Sequence, residues 1–371
     1  MIKLLVSHSD LLEGLNTVAT ALPPRTSLPS LTNVLLEAED DLLRLSATDL
    51  DTTVITSVPA TITNSGSLAL PGKRLHEIAR ELPGGDVHLS GTGNRVTITC
   101  DRSEFTLSGS STDSFPALPK LEDGSPITLP VQVLSEAITK TSYAVARDDY
   151  RPALNGALWK LGNEGFEMVA TDGHRLARIR MPGITAPEAL EAIVAPKALN
   201  LLTKLADGDS VSIRFGGNQI SFQLDSTVIF SRTIEGPYPP YEKVIPSGND
   251  MELTMEREDL VAALRRMRII ANPATHQVKF SLEPDNVLVE AEYSDAGQAH
   301  EKLEAEYGGD PMRIGFNGDF LRDILRNMDC QRVRVLVKDS TTAVIIRQEN
   351  ATEDVDYLAL LMPVKLPGEG E

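Results

Sequence analysis

The run Ala47-Thr48-Asp49-Leu50 returns as Ala170-Thr171-Asp172-Gly173, a spacing of about 123 residues that exceeds any solenoid period and points to duplication of a whole domain. The surrounding elements return in the same order. A helical stripe at Leu11, Leu15, Val18 and Leu22 precedes β-like runs at 31–38, 42–48 and 52–58. Pro71-Gly72-Lys73-Arg74 then opens a second helix, with Leu75, Ile78 and Leu82 on one face and Pro83 as its stop. Alternating strands at 87–89, 95–100 and 104–108 close the unit.

A second pass places a helix on Leu134, Ala137, Ile138 and Thr141, strands at 154–161, 166–171 and 175–180, a helix over 196–206, and strands at 211–215, 219–224 and 228–234. A third begins with Leu260, Leu264 and Met267. It continues through strands at 278–282, 287–292 and 301–307, a helix over 319–328, and strands at 332–337 and 343–347. The second helices start near 71, 196 and 317, so the step is about 121–125 residues, an ordinary domain size. The expected fold class is α+β: three repeated domains, 1–120, 126–246 and 250–371, each with two helices on antiparallel sheet. Pro/Gly/Ser-rich stretches at 110–130 and 236–250 fall where linkers belong. Three sheets in a row leave exposed edges unless neighbouring edges pair. Continuous sheet across the boundaries meets that need, and an arc with unlike ends can close on a second copy.

Two cysteines, Cys100 and Cys330, do not make a disulfide framework, and the opening residues carry no apolar signal run. A cytoplasmic protein that engages no membrane is expected. The net charge of −18 opposes nucleic-acid binding on average, yet a local basic face is a separate matter. Basic residues gather on the helices: Lys73, Arg74 and Arg80, then Lys197 and Lys204, then Arg322 and Arg326 on the second helices, with Lys140, Arg265, Arg266 and Arg268 on the first. Each is also consistent with a solvated helix face and local pairing, such as Arg80 with Glu77. Acids crowd strands and linkers, as in Glu37-Ala38-Glu39-Asp40-Asp41. Helices facing a common hole would make that hole positive inside a negative ring, with sequence-independent phosphate contacts.

Several motifs in order resemble the β sliding clamps, the β subunits of bacterial DNA polymerase III. They are Leu154-Asn155-Gly156, Ala170 through Ala177, Tyr238-Pro239-Pro240-Tyr241 with Val244-Ile245-Pro246, Gly315-Phe316-Asn317, and Met362-Pro363-Val364-Lys365-Leu366. The resemblance spans essentially the whole chain. It implies a non-catalytic processivity subunit without cofactor or metal. It also implies three clamp domains forming half of a closed ring, a head-to-tail homodimer around double-stranded DNA. Implied partners are the polymerase III catalytic subunit, the clamp loader and other proteins carrying a clamp-binding motif.

The resemblance assigns a partner-peptide pocket to Leu154, Thr171, Gly173, His174, Arg175, Leu176, Pro239, Val244, Met362, Pro363 and Val364, with Leu176, Val244 and Val364 as its floor. DNA contacts map onto Arg25, Lys73, Arg147, Arg151 and Lys197; Pro152-Ala153 departs from members that carry aromatic residues there. The subunit junction maps onto Phe105 and Leu107 with Lys73 and Arg74, against Ile269 and Ile270 with Glu301 and Glu304. The apolar members of both sets are also consistent with ordinary core packing. The acidic extension Pro367-Gly368-Glu369-Gly370-Glu371 is expected to project into solvent.

Two other readings stand beside this one. A metal-dependent nuclease or phosphoesterase would use Asp49, Asp51, Asp172 and His174, which requires several carboxylates on one cation. A monomeric peptide-binding scaffold would have no DNA role. For Asp172 itself, the plainer expectation is a strand-ending turn whose carboxylate caps backbone N–H groups.

Overall fold

The computed structural model describes residues 2–121, 126–147, 150–206, 208–350 and 354–366, so the acidic extension lies outside the described residues. Six α-helices are described: α1 His8–Ala19, α2 Gly72–Glu81, α3 Val131–Thr141, α4 Pro196–Leu205, α5 Arg257–Ile270 and α6 Gly318–Arg326. None is long and apolar enough to cross a membrane.

The chain separates into two compact units, Met1–Leu134 with Lys197–Thr233 and Ser135–Pro196 with Ile234–Glu371. The cut runs through the middle repeat, and sheet pairing is the reason. In the first unit an eight-stranded antiparallel sheet takes strands from two repeats, because Thr52–Pro59 pairs with Thr227–Arg232. Its order is Ile127–Pro130, Ser210–Gly216, Gln219–Leu224, Thr227–Arg232, Thr52–Pro59, Leu42–Thr48, Asn33–Glu39, Gly66–Pro71. A five-stranded sheet completes the unit and ends on the edge strand Ser103–Ser108.

The second unit repeats the device. Arg175–Met181 pairs with Asp356–Leu361, fusing strands of the second and third repeats into one nine-stranded sheet. A four-stranded sheet beside it runs Gly297–Glu304, Asn286–Tyr293, Gln277–Glu283, Met312–Asn317. The expected strand over 301–307 is in fact two, Gly297–Glu304 and Glu306–Tyr307, in different sheets. The expected strand start at 154 is a 3₁₀ turn, Pro152–Asn155, followed by the strand Ala157–Gly162.

Helices form where the apolar spacing and caps direct them. Ser7 caps α1 by accepting from the Asp10 N–H, and Leu11, Leu15 and Val18 are buried; each such side chain contributes roughly 1.5–3 kcal/mol by leaving water. Asn317 caps α6 by accepting from the Asp319 and Phe320 N–H groups, while Leu321, Ile324 and Leu325 face the core. Strands alternate as half-buried strands must: Arg332–Val337 buries Val333, Val335 and Val337 and turns the other side chains outward.

Candidate functional site

The two Ala-Thr-Asp copies fold into the same turn. Thr48 Oγ1 donates to the Thr52 carbonyl and accepts from the Leu50 N–H; Thr171 Oγ1 donates to the Arg175 carbonyl at 2.6 Å and accepts from the Gly173 N–H. Asp49 Oδ1 accepts from the N–H groups of Asp51 and Thr52, and Asp172 Oδ1 from those of His174 and Arg175. The second oxygen meets a cation in both cases. Lys197 lies 2.5 Å from Asp49 Oδ2, and Arg175 Nε lies 3.1 Å from Asp172 Oδ2. Both aspartates close turns, and the nuclease reading gains nothing from either.

The position after the aspartate requires a left-handed backbone. Gly173 meets that demand at φ 88°, whereas Leu50 adopts φ 82° in the first copy. Gly173 also lies close under the Arg151 guanidinium, so a Cβ there would collide with it.

Arg175 is almost fully buried, 8% exposed. Its guanidinium donates to Asp172, to Asp323 at 3.0 Å and to the Tyr143 carbonyl at 2.8 Å, and it stacks 4.4 Å from the centre of the Phe320 ring. His174 is exposed and stacks on the same Phe320, with ring centres 6.1 Å apart. Burial lifts the Tyr143 phenol well above its ordinary range, so it stays neutral, bonded to the Tyr357 hydroxyl.

Leu176 is buried in a cluster with Leu158, Val169, Ile193, Tyr241, Ala343 and Leu360. Ala153, Tyr238 and Ile245 pack on this cluster, which draws in the short turns bearing Leu154, Pro239 and Val244. Leu154 is buried, Pro239 exposed, and Val244 57% exposed. The turn Tyr241–Val244 is tied down by Lys160, which reaches Glu242 at 3.3 Å and sits 4.9 Å from the centre of the Tyr241 ring. Met362 is exposed, Pro363 and Val364 are half-buried, and the Met362 N–H donates to the His174 carbonyl at 2.9 Å. The residues from Thr171 to Leu176, the 241–244 turn and the Met362 segment thus share one framework. Phe320, Asp323 and Tyr143, which the sequence reading missed, fix its polar end. Asp323 lies 148 positions from Arg175, and nothing in its local sequence marks the link.

The basic residues sort less simply. Arg25, Lys73, Arg147 and Arg151 are exposed. Arg151 donates to the Asp172 carbonyl, and Lys197 is engaged by Asp49 and the Ala21 carbonyl. Arg80 pairs with Glu81, not with Glu77. Of the junction residues, Lys73, Arg74 and Glu304 are exposed, Phe105 is 38% and Ile269 77% exposed, Ile270 is half-buried and Leu107 is buried. Glu301 is held by Arg266 at 2.7 Å, which keeps its carboxyl below the usual range.

Family models described as the DNA polymerase III beta subunit N-terminal, central and C-terminal domains match residues 2–119, 128–240 and 242–365. The beta sliding clamp of Synechocystis is 33% identical, covering 98% of this chain and 99% of its own; that of Caulobacter vibrioides is 34% identical, covering 87% and 89%. Among solved structures, the Bacillus subtilis sliding clamp superposes with a TM-score of 0.93 at 26% identity, covering 98% of this chain and 99% of its own. A Bartonella birtlesii sliding clamp bound to griselimycin gives 0.92 at 30%, covering 98% and 100%. Matched in three consecutive domains and along nearly its full length, this chain belongs to the family of bacterial DNA polymerase III beta subunits, the non-catalytic beta sliding clamps.

Proposed function

We propose that this clamp works as a head-to-tail dimeric ring that encircles duplex DNA in the bacterial cytoplasm and tethers replication and repair enzymes, the polymerase III catalytic subunit and the clamp loader among them, through one peptide pocket per subunit. The observation that carries the pocket is the single framework joining Thr171–Leu176 to Val244 and Met362, with exposed apolar side chains above a buried floor. An apolar slot of this kind, with a few polar groups, suits an extended peptide. Leu154, Gly173, Pro239, Pro363 and Val364 complete its walls, and Arg175 acts from behind as the clip that holds the strand end.

Ring closure is supported by two unpaired edges. The strand Ser103–Ser108 ends one sheet with Phe105 half-exposed, and Gly297–Glu304 ends another beside Ile269. Pairing one protomer's first edge with its partner's second would cover both. Lys73 and Arg74 would flank the contact on one side, with Glu301 and Glu304 on the other. Arg25, Lys73, Arg147, Arg151 and Lys197 would contact phosphates. Such contacts give weak, salt-sensitive binding without sequence preference. The test is retention after loading: the ring should remain on nicked circular DNA and leave once the circle is linearised. Equal retention on both would refute encirclement.

A further inference from the structure

The motif Gly315-Phe316-Asn317 lies apart from the pocket residues in sequence, yet each member has a visible task. Asn317 caps α6, which carries Phe320 and Asp323 to His174 and Arg175. Phe316 packs edge-on against Phe280, with ring centres 5.5 Å apart. Gly315 has another office. Its carbonyl accepts the Val364 N–H at 2.8 Å. A Cβ built on it would stand 2.5 Å from the Val364 carbonyl oxygen and 2.8 Å from Leu366 Cδ2, closer than side-chain carbons approach such atoms. Val364 and Leu366 therefore approach the strand Met312–Asn317 this closely only because residue 315 has no side chain.

Three more contacts hold the same segment. The Met362 N–H reaches the His174 carbonyl at 2.9 Å, Gln277 Nε2 donates to the Lys365 carbonyl at 3.1 Å, and Leu366 is buried to 8% exposure. Five residues that would otherwise sample many conformations are pinned at both ends. Met362, Pro363 and Val364 then stand in place before any ligand arrives.

We infer that Gly315 is a positioning residue for the partner-peptide site: it seats the 362–366 segment and pre-forms one wall of the pocket. The inference rests on the peptide-pocket reading above. A ligand meeting a pre-formed wall does not bear the entropy of ordering it, so unseating the segment should weaken binding without touching the other wall.

The test uses the full-length chain and a fluorescein-labelled synthetic hexapeptide containing Gln and Leu, followed by anisotropy. Gly315→Ala should weaken the peptide about tenfold and Gly315→Val further, with the solution mass unchanged. Amide exchange supplies a readout that general damage would not give: the Val364 N–H should lose protection selectively, while the strand Arg332–Val337 keeps its own. In a chain truncated after Leu361, Gly315→Ala should leave the melting temperature unchanged, since the atoms it collides with are gone. If Gly315→Ala keeps its affinity within twofold while the truncation abolishes binding, the seat is wrong and the pocket stands. An equal loss of melting temperature in full-length and truncated chains would also overturn the seat. Truncation that leaves peptide affinity unchanged would remove the pocket reading itself.

Discussion

Arg175 separates a structural role from a ligand-binding one, because its guanidinium is buried and fully engaged. Arg175→Ala strips the counter-charge from Asp172, 15% exposed, and from Asp323, 36% exposed, and leaves the Tyr143 carbonyl without its donor. Breaking a buried pair from one side costs about 3–5 kcal/mol. The partly open Asp323 places this case at the lower end, and the lost stacking on Phe320 adds roughly 1 kcal/mol. The sum is about 4 kcal/mol. At about 2–4 °C per kcal/mol for a unit of roughly 200 residues, the second unit should melt about 8–16 °C lower. Calorimetry on wild type, Arg175→Ala, Asp323→Ala and the double variant checks the figure, and the double variant should cost little more than Arg175→Ala alone. Arg175→Lys keeps the charge but not the fork, and should recover only part of the loss. If Arg175→Ala melts within about 1 °C of wild type yet loses the peptide, the guanidinium is a ligand contact and the clip is wrong.

Leu50 holds φ 82° where the second repeat has glycine, so Leu50→Gly should stabilise the first unit by up to about 1 kcal/mol in urea titration; a loss of that size would refute the strain. Phe105→Arg places a charge in the proposed junction and should reduce the mass by light scattering to the 40.2 kDa chain; a variant that stays dimeric places the junction elsewhere. Hydrogen bonds from Arg334 hold the Glu252 carboxyl below its ordinary pKa, so its stabilising effect is present above the unfolded-state value and is lost as pH falls through the lower folded one. Acid titration should therefore lower the melting temperature less steeply in Glu252→Gln than in wild type, and parallel curves would count against the pairing.

The turn chemistry was legible from sequence because it is local: Thr-Asp followed by a left-handed residue determines its own hydrogen bonds within four positions. Helix positions were legible for the same reason, since Leu11, Leu15 and Val18 recur at helical spacing beside a serine cap. What stayed hidden was long-range. The strand Asp356–Leu361 buries nearly every residue, so it lacks the alternation that marks a strand with one wet face. Asp323 reads as an ordinary helix-surface acid until Arg175 arrives from another repeat. Lys197 reads as a free cation until Asp49 is placed against it. The pocket residues of the second repeat could be named from their motif, but two of the groups that hold them, Phe320 and Asp323, belong to the third.

The shared sheets impose an order on synthesis. Thr56 pairs with Thr227, and Arg175 with Leu361, so each central edge must wait for a partner translated about 170–190 residues later. At bacterial elongation rates of roughly 5–20 residues per second, that wait is on the order of 10–40 s. Through it, the strand Thr52–Pro59 presents Val54, Ile55 and Val58 along an open edge, the kind of surface that recruits the wrong strand. On a polysome, neighbouring nascent chains display the same edge at the same time. The two waits, one ending as Thr227–Arg232 emerges and the other only at Asp356–Leu361, are therefore the stretches of translation in which a chaperone on the open edge prevents mispairing.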